Sequence, residues 1–190
     1  MKTRDSGMPD EAYWETFFDP AAVLTTLGLD RVAGPVVDVG AGYGTFSIAM
    51  AGMTHHPVIA IDIEPALVEA LAARAAAAGL PHVEARLHDV TGIGQGVEPG
   101  SADVVLLFNL LHCEEPVALL RAARTALRPS GRVGIIHWRS DVPTPRGPAL
   151  AIRPLPEDCV AWAMAAGLTV SVPPVLLPPY HFGLVATRLA

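Results

Sequence analysis

Val36-Val-Asp-Val-Gly-Ala-Gly-Tyr-Gly-Thr-Phe-Ser47 is the stretch on which the fold turns. An apolar, β-branched run carries Asp38, glycines at 40, 42 and 44 make a tight turn, and helical composition resumes near Thr45. Glycine reaches backbone conformations closed to other residues and has no Cβ, so a ligand can lie against the chain. The helix behind it offers amide N–H groups without intrahelical partners, at the positive end of its dipole. A dinucleotide-binding turn uses the same device for a pyrophosphate, spaced G-x-G-x-x-G. Here the third glycine comes one residue early, and Thr45 stands where that pattern wants it. Asp38, two residues before the first glycine, would repel a pyrophosphate and suits a ligand that carries an ammonium group.

Outward from this turn, short apolar runs alternate with helical patterns. Val36–Val39, Val58–Ile61, Val83–Leu87, Val104–Phe108 and Val133–Ile136 read as strands, and the last two are continuously apolar, as strands covered on both faces are. Pro65 opens a helix with Leu67 and Leu71 on one face and Gly79 at its stop; Pro116 and Pro129 bracket a second over Val117–Arg128; Pro156 and Gly167 bracket a third. Strand–helix–strand repetition implies an α/β, Rossmann-like, doubly wound sheet of mostly parallel strands. The tail, Leu168–Val172 and His181–Arg188, reads as an antiparallel strand pair joined through Pro173–Pro179, a connection too short for a helix. Glu11–Leu27 reads as helical, reset by Asp19-Pro20 and stopped by Gly28. The expected organisation is one domain: a helical segment over 1–30, a lid candidate, and a core over 31–190.

The strand ends carry polar residues in sequence order. Asp62 closes the second run, slightly over ~20 residues past the turn, where an acid can accept from both ribose hydroxyls. Asp89 follows the third and Asn109 the fourth. In an open α/β sheet these ends line one ligand crevice.

Composition narrows the partners. Of 190 residues, 51% are hydrophobic and 17% charged, which excludes a disordered chain. Thirteen Lys and Arg against 19 Asp and Glu give a net charge of −6, which disfavours nucleic acid. Two cysteines without a Cys/His cluster give no disulfide framework or zinc motif, and no apolar run is long enough for a membrane span, so the expected place is the cytoplasm.

Taken with Asp62, Asp89 and Asn109-Leu-Leu-His112, the Asp38-x-Gly40-x-Gly42-x-Gly44 series resembles the class I S-adenosylmethionine-dependent methyltransferases, in their small-molecule, ubiquinone-biosynthesis-methyltransferase-like branch. The resemblance covers Val36 to Arg188. It implies a seven-stranded sheet whose last strand is antiparallel, S-adenosyl-L-methionine as cofactor with S-adenosyl-L-homocysteine as product, and a small-molecule methyl acceptor. It further implies that Asp38, Gly40, Ala41 and Gly42 hold the methionine part and Asp62 the ribose. Ile63 would pack on the adenine, Asp89 would accept from its amino group beside Val90, and Asn109 and Leu110 would pass under the sulfonium. Two alternatives remain: a silent S-adenosylmethionine binder, and an NAD-dependent oxidoreductase, which the glycine spacing disfavours.

Methyl transfer is an in-line displacement that needs alignment and exclusion of water, and a base only where the attacking atom must lose a proton. The candidates for that base are His137, at the end of a strand and directed to the crevice mouth, and His112. Tyr13, Trp14 and Phe17, with Trp138 and Arg139, are candidates for contacts to the acceptor. Phe18 joins the same aromatic cluster, and Arg146 and Arg153 are further cations in the Pro-rich loop over Ser140–Pro154. No metal ligand set is expected, since the histidines lack i,i+4 spacing or a carboxylate partner.

Overall fold

The computed structural model describes residues 10–89 and 97–189. The chain enters through α1 (Glu11–Trp14), a 3-10 turn (Glu15–Phe17) and α2 (Pro20–Thr26). It continues as β1 (Val36–Val39), α3 (Thr45–Met53), β2 (Val58–Asp62), α4 (Pro65–Ala77), β3 (Val83–Leu87), β4 (Ala102–Phe108), α5 (Pro116–Ala126) and β5 (Leu127–Trp138). A 3-10 turn (Leu150–Ile152), α6 (Pro156–Ala165), β6 (Thr169–Leu177) and β7 (His181–Thr187) complete it. The seven strands form one sheet in the order β3-β2-β1-β4-β5-β7-β6. β3 to β5 are parallel neighbours; β7 is antiparallel to both β5 and β6.

Alternation along each strand divides the core. Val37, Ile59, Val105, Leu107, Val133 and Ile135 bury one face beside Leu120 of α5 and Ala163 of α6. Val36, Val58, Val104, Leu106 and Ile136 bury the other beside Leu24 of α2 and Met50 of α3. Every residue of β4 is buried, as a strand covered on both faces requires. Strand order reverses between β1 and β4, so the crevice of this sheet lies there, outside the carboxyl ends of the strands.

Three boundaries depart from expectation. α5 ends at Ala126, because Leu127, with an extended backbone, already begins β5. Pro129 therefore lies inside a strand, beside a register shift in the β4–β5 ladder and next to Ser130 at φ 64°, where a missing amide donor is tolerated. β6 runs through Pro173 and Pro174 to Leu177, leaving only 178–180 as its connection. β6 is the sheet edge, the place where proline costs least, and its pairing with β7 is irregular there. The helical reading of Glu11–Leu27 resolves into two helices and a 3-10 turn, with Asp10 and Asp19 side chains capping α1 and α2.

Candidate active site

The glycine turn is fastened to its neighbours at both ends. Ala41 N–H donates to the Ile61 carbonyl at 3.0 Å and Gly44 N–H to that of Ala41 at 2.9 Å. Gly40, Gly42 and Gly44 all have positive φ. Two of them also stand where a side chain would collide: a Cβ on Gly40 would lie 2.9 Å from Leu110 Cδ2, and one on Gly44 2.1 Å from Leu71 Cδ1. Bare backbone is thus required by packing as well as by conformation.

Two carboxylates flank this turn. Asp62, buried at the end of β2, accepts from Gly42 N–H through Oδ2 at 2.8 Å and from Glu64 N–H through Oδ1 at 3.0 Å. Two backbone donors therefore fix its plane while its remaining lone pairs stay available. Asp38 is buried beneath, where Ser47 Oγ of α3 donates to its Oδ2 at 2.5 Å. Burial pushes the Asp38 carboxyl up to about 7; the Ser47 hydroxyl opposes this and the Asp62 charge adds to it. A cation placed here would draw the proton off Asp38.

Asp89 is half-buried just beyond β3, and Ile63 half-buried just beyond β2. Val90 lies outside the described residues. At the end of β4, Asn109 has φ 58°, in the left-handed region that asparagine enters more readily than other residues with a side chain. Its N–H donates to the Ile136 carbonyl at 2.7 Å, while its side-chain Oδ1 is buried without a partner. Leu110 follows, against Gly40.

His112 and His137 are neighbours. His112 Nδ1 lies 3.2 Å from His137 Nε2, and His137 Nδ1 lies 3.3 Å from the Trp138 carbonyl. His137 is fully buried, against the expectation that it faces the crevice mouth, because strand alternation puts it with Val133 and Ile135 on the α5–α6 side. Burial above all, then His112, pushes its imidazole down to about 3, so it is neutral at physiological pH. A carbonyl can only accept, so His137 carries its proton on Nδ1 and accepts at Nε2 from His112 Nδ1–H.

Trp14, Phe17 and Trp138 form a third buried cluster, with Phe18, Tyr43 and Tyr180 packed on it. Trp138 meets Trp14 at 6.1 Å and Phe17 at 5.6 Å between ring centroids. Tyr13 is exposed but touches Phe17 edge-on at 4.8 Å. The arginines are committed elsewhere. Arg139 forms a two-pronged pair with Asp141 at 2.9 and 2.7 Å. Arg153 donates to the Pro148 and Arg139 carbonyls and to Thr144, and its guanidinium stacks on Trp138. Arg153 organises its own loop. His181 is buried among these rings, and a lone histidine opening a strand carries no spacing signal by which sequence could mark it.

A parallel sheet with a β1–β4 switch, an acid-flanked glycine turn and an antiparallel strand pair at the end define a class I methyltransferase fold. A solved S-adenosylmethionine-dependent methyltransferase from Aquifex aeolicus superposes with a TM-score of 0.82 at 24% identity, over 95% of this chain and 94% of that one. Residues 36–131, half of the chain, match the family model described as a methyltransferase domain, and the chain belongs to that family. Nocamycin O-methyltransferase of Saccharothrix syringae is 34% identical over 187 residues, which cover 95% of this chain and 65% of that protein. Ubiquinone biosynthesis O-methyltransferase of Xanthomonas euvesicatoria pv. vesicatoria (strain 85-10) is 33% identical over 106 residues, 55% of this chain and 43% of that protein. The chain thus spans less than two thirds of the length of these curated relatives.

Proposed function

We propose that this chain is an S-adenosylmethionine-dependent methyltransferase that methylates an oxygen of a small organic acceptor. The observation that carries the reading is the pairing of Asp62 with Gly42 N–H, beside buried Asp38 and outside the β1–β4 switch. Two acids around the turn oppose a pyrophosphate and favour a ligand with ribose hydroxyls at one end and an ammonium at the other. The residues present fit S-adenosylmethionine: Asn109 Oδ1 awaits a donor, the Gly40 backbone is bare, and Asp62 has lone pairs left. When bound, the cofactor supplies an electrophilic methyl group.

Asp38 with the Gly40–Gly42 backbone would hold the amino-acid end, Asp62 the ribose, Ile63 and Asp89 the adenine, and Asn109 and Leu110 the stretch beneath the sulfonium. The chain's own part in the chemistry is to align, to exclude water and to receive a proton. Trp14, Phe17 and Trp138 supply a dry apolar wall, with Tyr13 at its rim. His112 takes the acceptor's hydroxyl proton as the oxygen becomes nucleophilic. His137 is a positioning residue that fixes the His112 tautomer from behind. Oxygen as the attacked atom follows the names of the curated relatives.

Thermal melting tests this directly. S-adenosylhomocysteine should raise the melting temperature and NAD should not, and Asp62→Ala should weaken S-adenosylhomocysteine binding by about tenfold or more, as expected for lost charge-assisted hydrogen bonds. Protection by NAD alone would refute the reading. Protection by S-adenosylhomocysteine without turnover of labelled cofactor in metabolite extracts would mark a silent binder.

A further inference from the structure

His181 opens β7 directly opposite Trp138 in the antiparallel β5–β7 pair, two strands over from the one that Asn109 ends. It is fully buried, and neither Nδ1 nor Nε2 has a hydrogen-bond partner. Its surroundings are rings: Trp138 at 4.2 Å, Phe18 at 4.4 Å and Trp14 at 6.2 Å between centroids. Burial first, then His137 and Arg153, hold the ring well below the ordinary imidazole range, so it stays neutral, with one N–H donor and one acceptor nitrogen. A phenyl ring would fill this place without stranding two polar atoms, and a buried polar group left unpaired costs its full desolvation. Such an expense at a crevice edge points to a partner that comes and goes.

Two of the covering rings come from the N-terminal segment, which packs inward on Trp138 and on Phe46. Trp14 and Phe18 belong to the N-terminal segment, which is held from outside by Arg74: its guanidinium bonds Glu11 and Glu15, each at 2.6 Å, and all three side chains are about a third or more exposed. Exposed pairs of this kind are cheap to break.

We infer that His181 is an acceptor-binding residue: its imidazole hydrogen-bonds a second hydroxyl, other than the one that is methylated, of a planar, phenolic or enolic acceptor that takes a place among Trp138, Phe18 and Trp14 when the N-terminal segment shifts. A flat acceptor suits walls that already meet edge-on and tilted. A neutral ring that can both donate and accept matches a hydroxyl, which does the same. The inference rests on the methyl-transfer reading for what happens at the site, and on the stranded nitrogens for which residue touches the acceptor.

Catechol serves as the probe, titrated into the chain saturated with S-adenosylhomocysteine and followed by tryptophan fluorescence, since Trp14 and Trp138 flank His181. Saturable quenching is expected for the wild type, with affinity about tenfold lower in His181→Phe and partly recovered in His181→Gln. His181→Phe should melt at the same or a higher temperature and bind S-adenosylhomocysteine as the wild type does. Unchanged catechol affinity in His181→Phe, no catechol binding by the wild type, or a marked loss of melting temperature in both variants would overturn the assignment. Catechol binding that depends on His181 in a chain that never binds S-adenosylhomocysteine would refute the methyl-transfer reading and leave the His181 contact standing.

Discussion

Asp38 holds a proton that an ordinary aspartate would have released long before neutrality, because α3 and the sheet shut water away from it. Its unfolded pKa is about 4, so between about pH 4 and about pH 7 the native chain keeps a proton that the unfolded chain has lost. The stability this residue contributes therefore falls as pH rises through that window and levels off above it. Asp38→Asn should abolish that fall and raise the stability of the ligand-free chain at pH 8, by a few kcal/mol at most, measured by urea unfolding. The same variant should lose affinity for S-adenosylhomocysteine, since an amide offers no charge to an ammonium. In the wild type that affinity should rise between about pH 6 and about pH 8, with proton release seen by calorimetry in buffers of different ionisation enthalpy.

Elements, more than single residues, govern access to the site. α4 contributes Arg74, which reaches Glu11 and Glu15 on the N-terminal segment and the Tyr43 carbonyl in the glycine turn at 3.3 Å. One guanidinium thus ties the covering segment to the turn that it covers. Arg74→Ala should change global stability by less than about 1 kcal/mol, as loss of exposed pairs does. It should nonetheless speed amide hydrogen exchange over residues 11–17 severalfold while exchange in β1 and β4 stays put. Equal acceleration in both regions would show that the segment is part of the core. The pair between Arg128 and buried Asp103, at 2.6 Å, lies at the opposite, amino end of β4 and fastens the sheet far from the crevice.

For the molecule as a whole, the two buried histidines on neighbouring strands set the response to acid. His137, pushed down to about 3, and His181, held well below its ordinary range, are neutral in the native chain, whereas in the unfolded chain each takes up a proton below about pH 6.5. Depressed values mean stability that is present above about pH 6.5 and lost as the pH falls. Asp38 slopes the other way throughout this range, one proton against two, so among these three groups the histidines prevail. Urea midpoints should therefore fall as the pH drops from about 6.5 to about 4.5, and the slope for His181→Phe should be shallower by about one proton. A slope unchanged in that variant would place the acid sensitivity elsewhere.

The alternation of apolar runs with proline-opened, glycine-closed helices was enough to read the doubly wound sheet and its antiparallel tail, because those signals are local: residue period, caps and turn glycines act over a few positions. The placement of Asp38, Asp62 and Asn109 at the strand ends was legible for the same reason, each standing where an apolar run stops. What the chain could not show along its length was distance between strands. Only folding brings His112 onto His137 across 25 positions, turns His137 away from the crevice, commits Arg139 and Arg153 to their own loop, and closes aromatic rings from both ends of the chain around His181. Burial and pairing are properties of three-dimensional neighbourhoods, so local sequence determined the scaffold and its row of polar ends, while the tertiary structure alone decided which side chains are neutral, which are committed, and which are left wanting a partner.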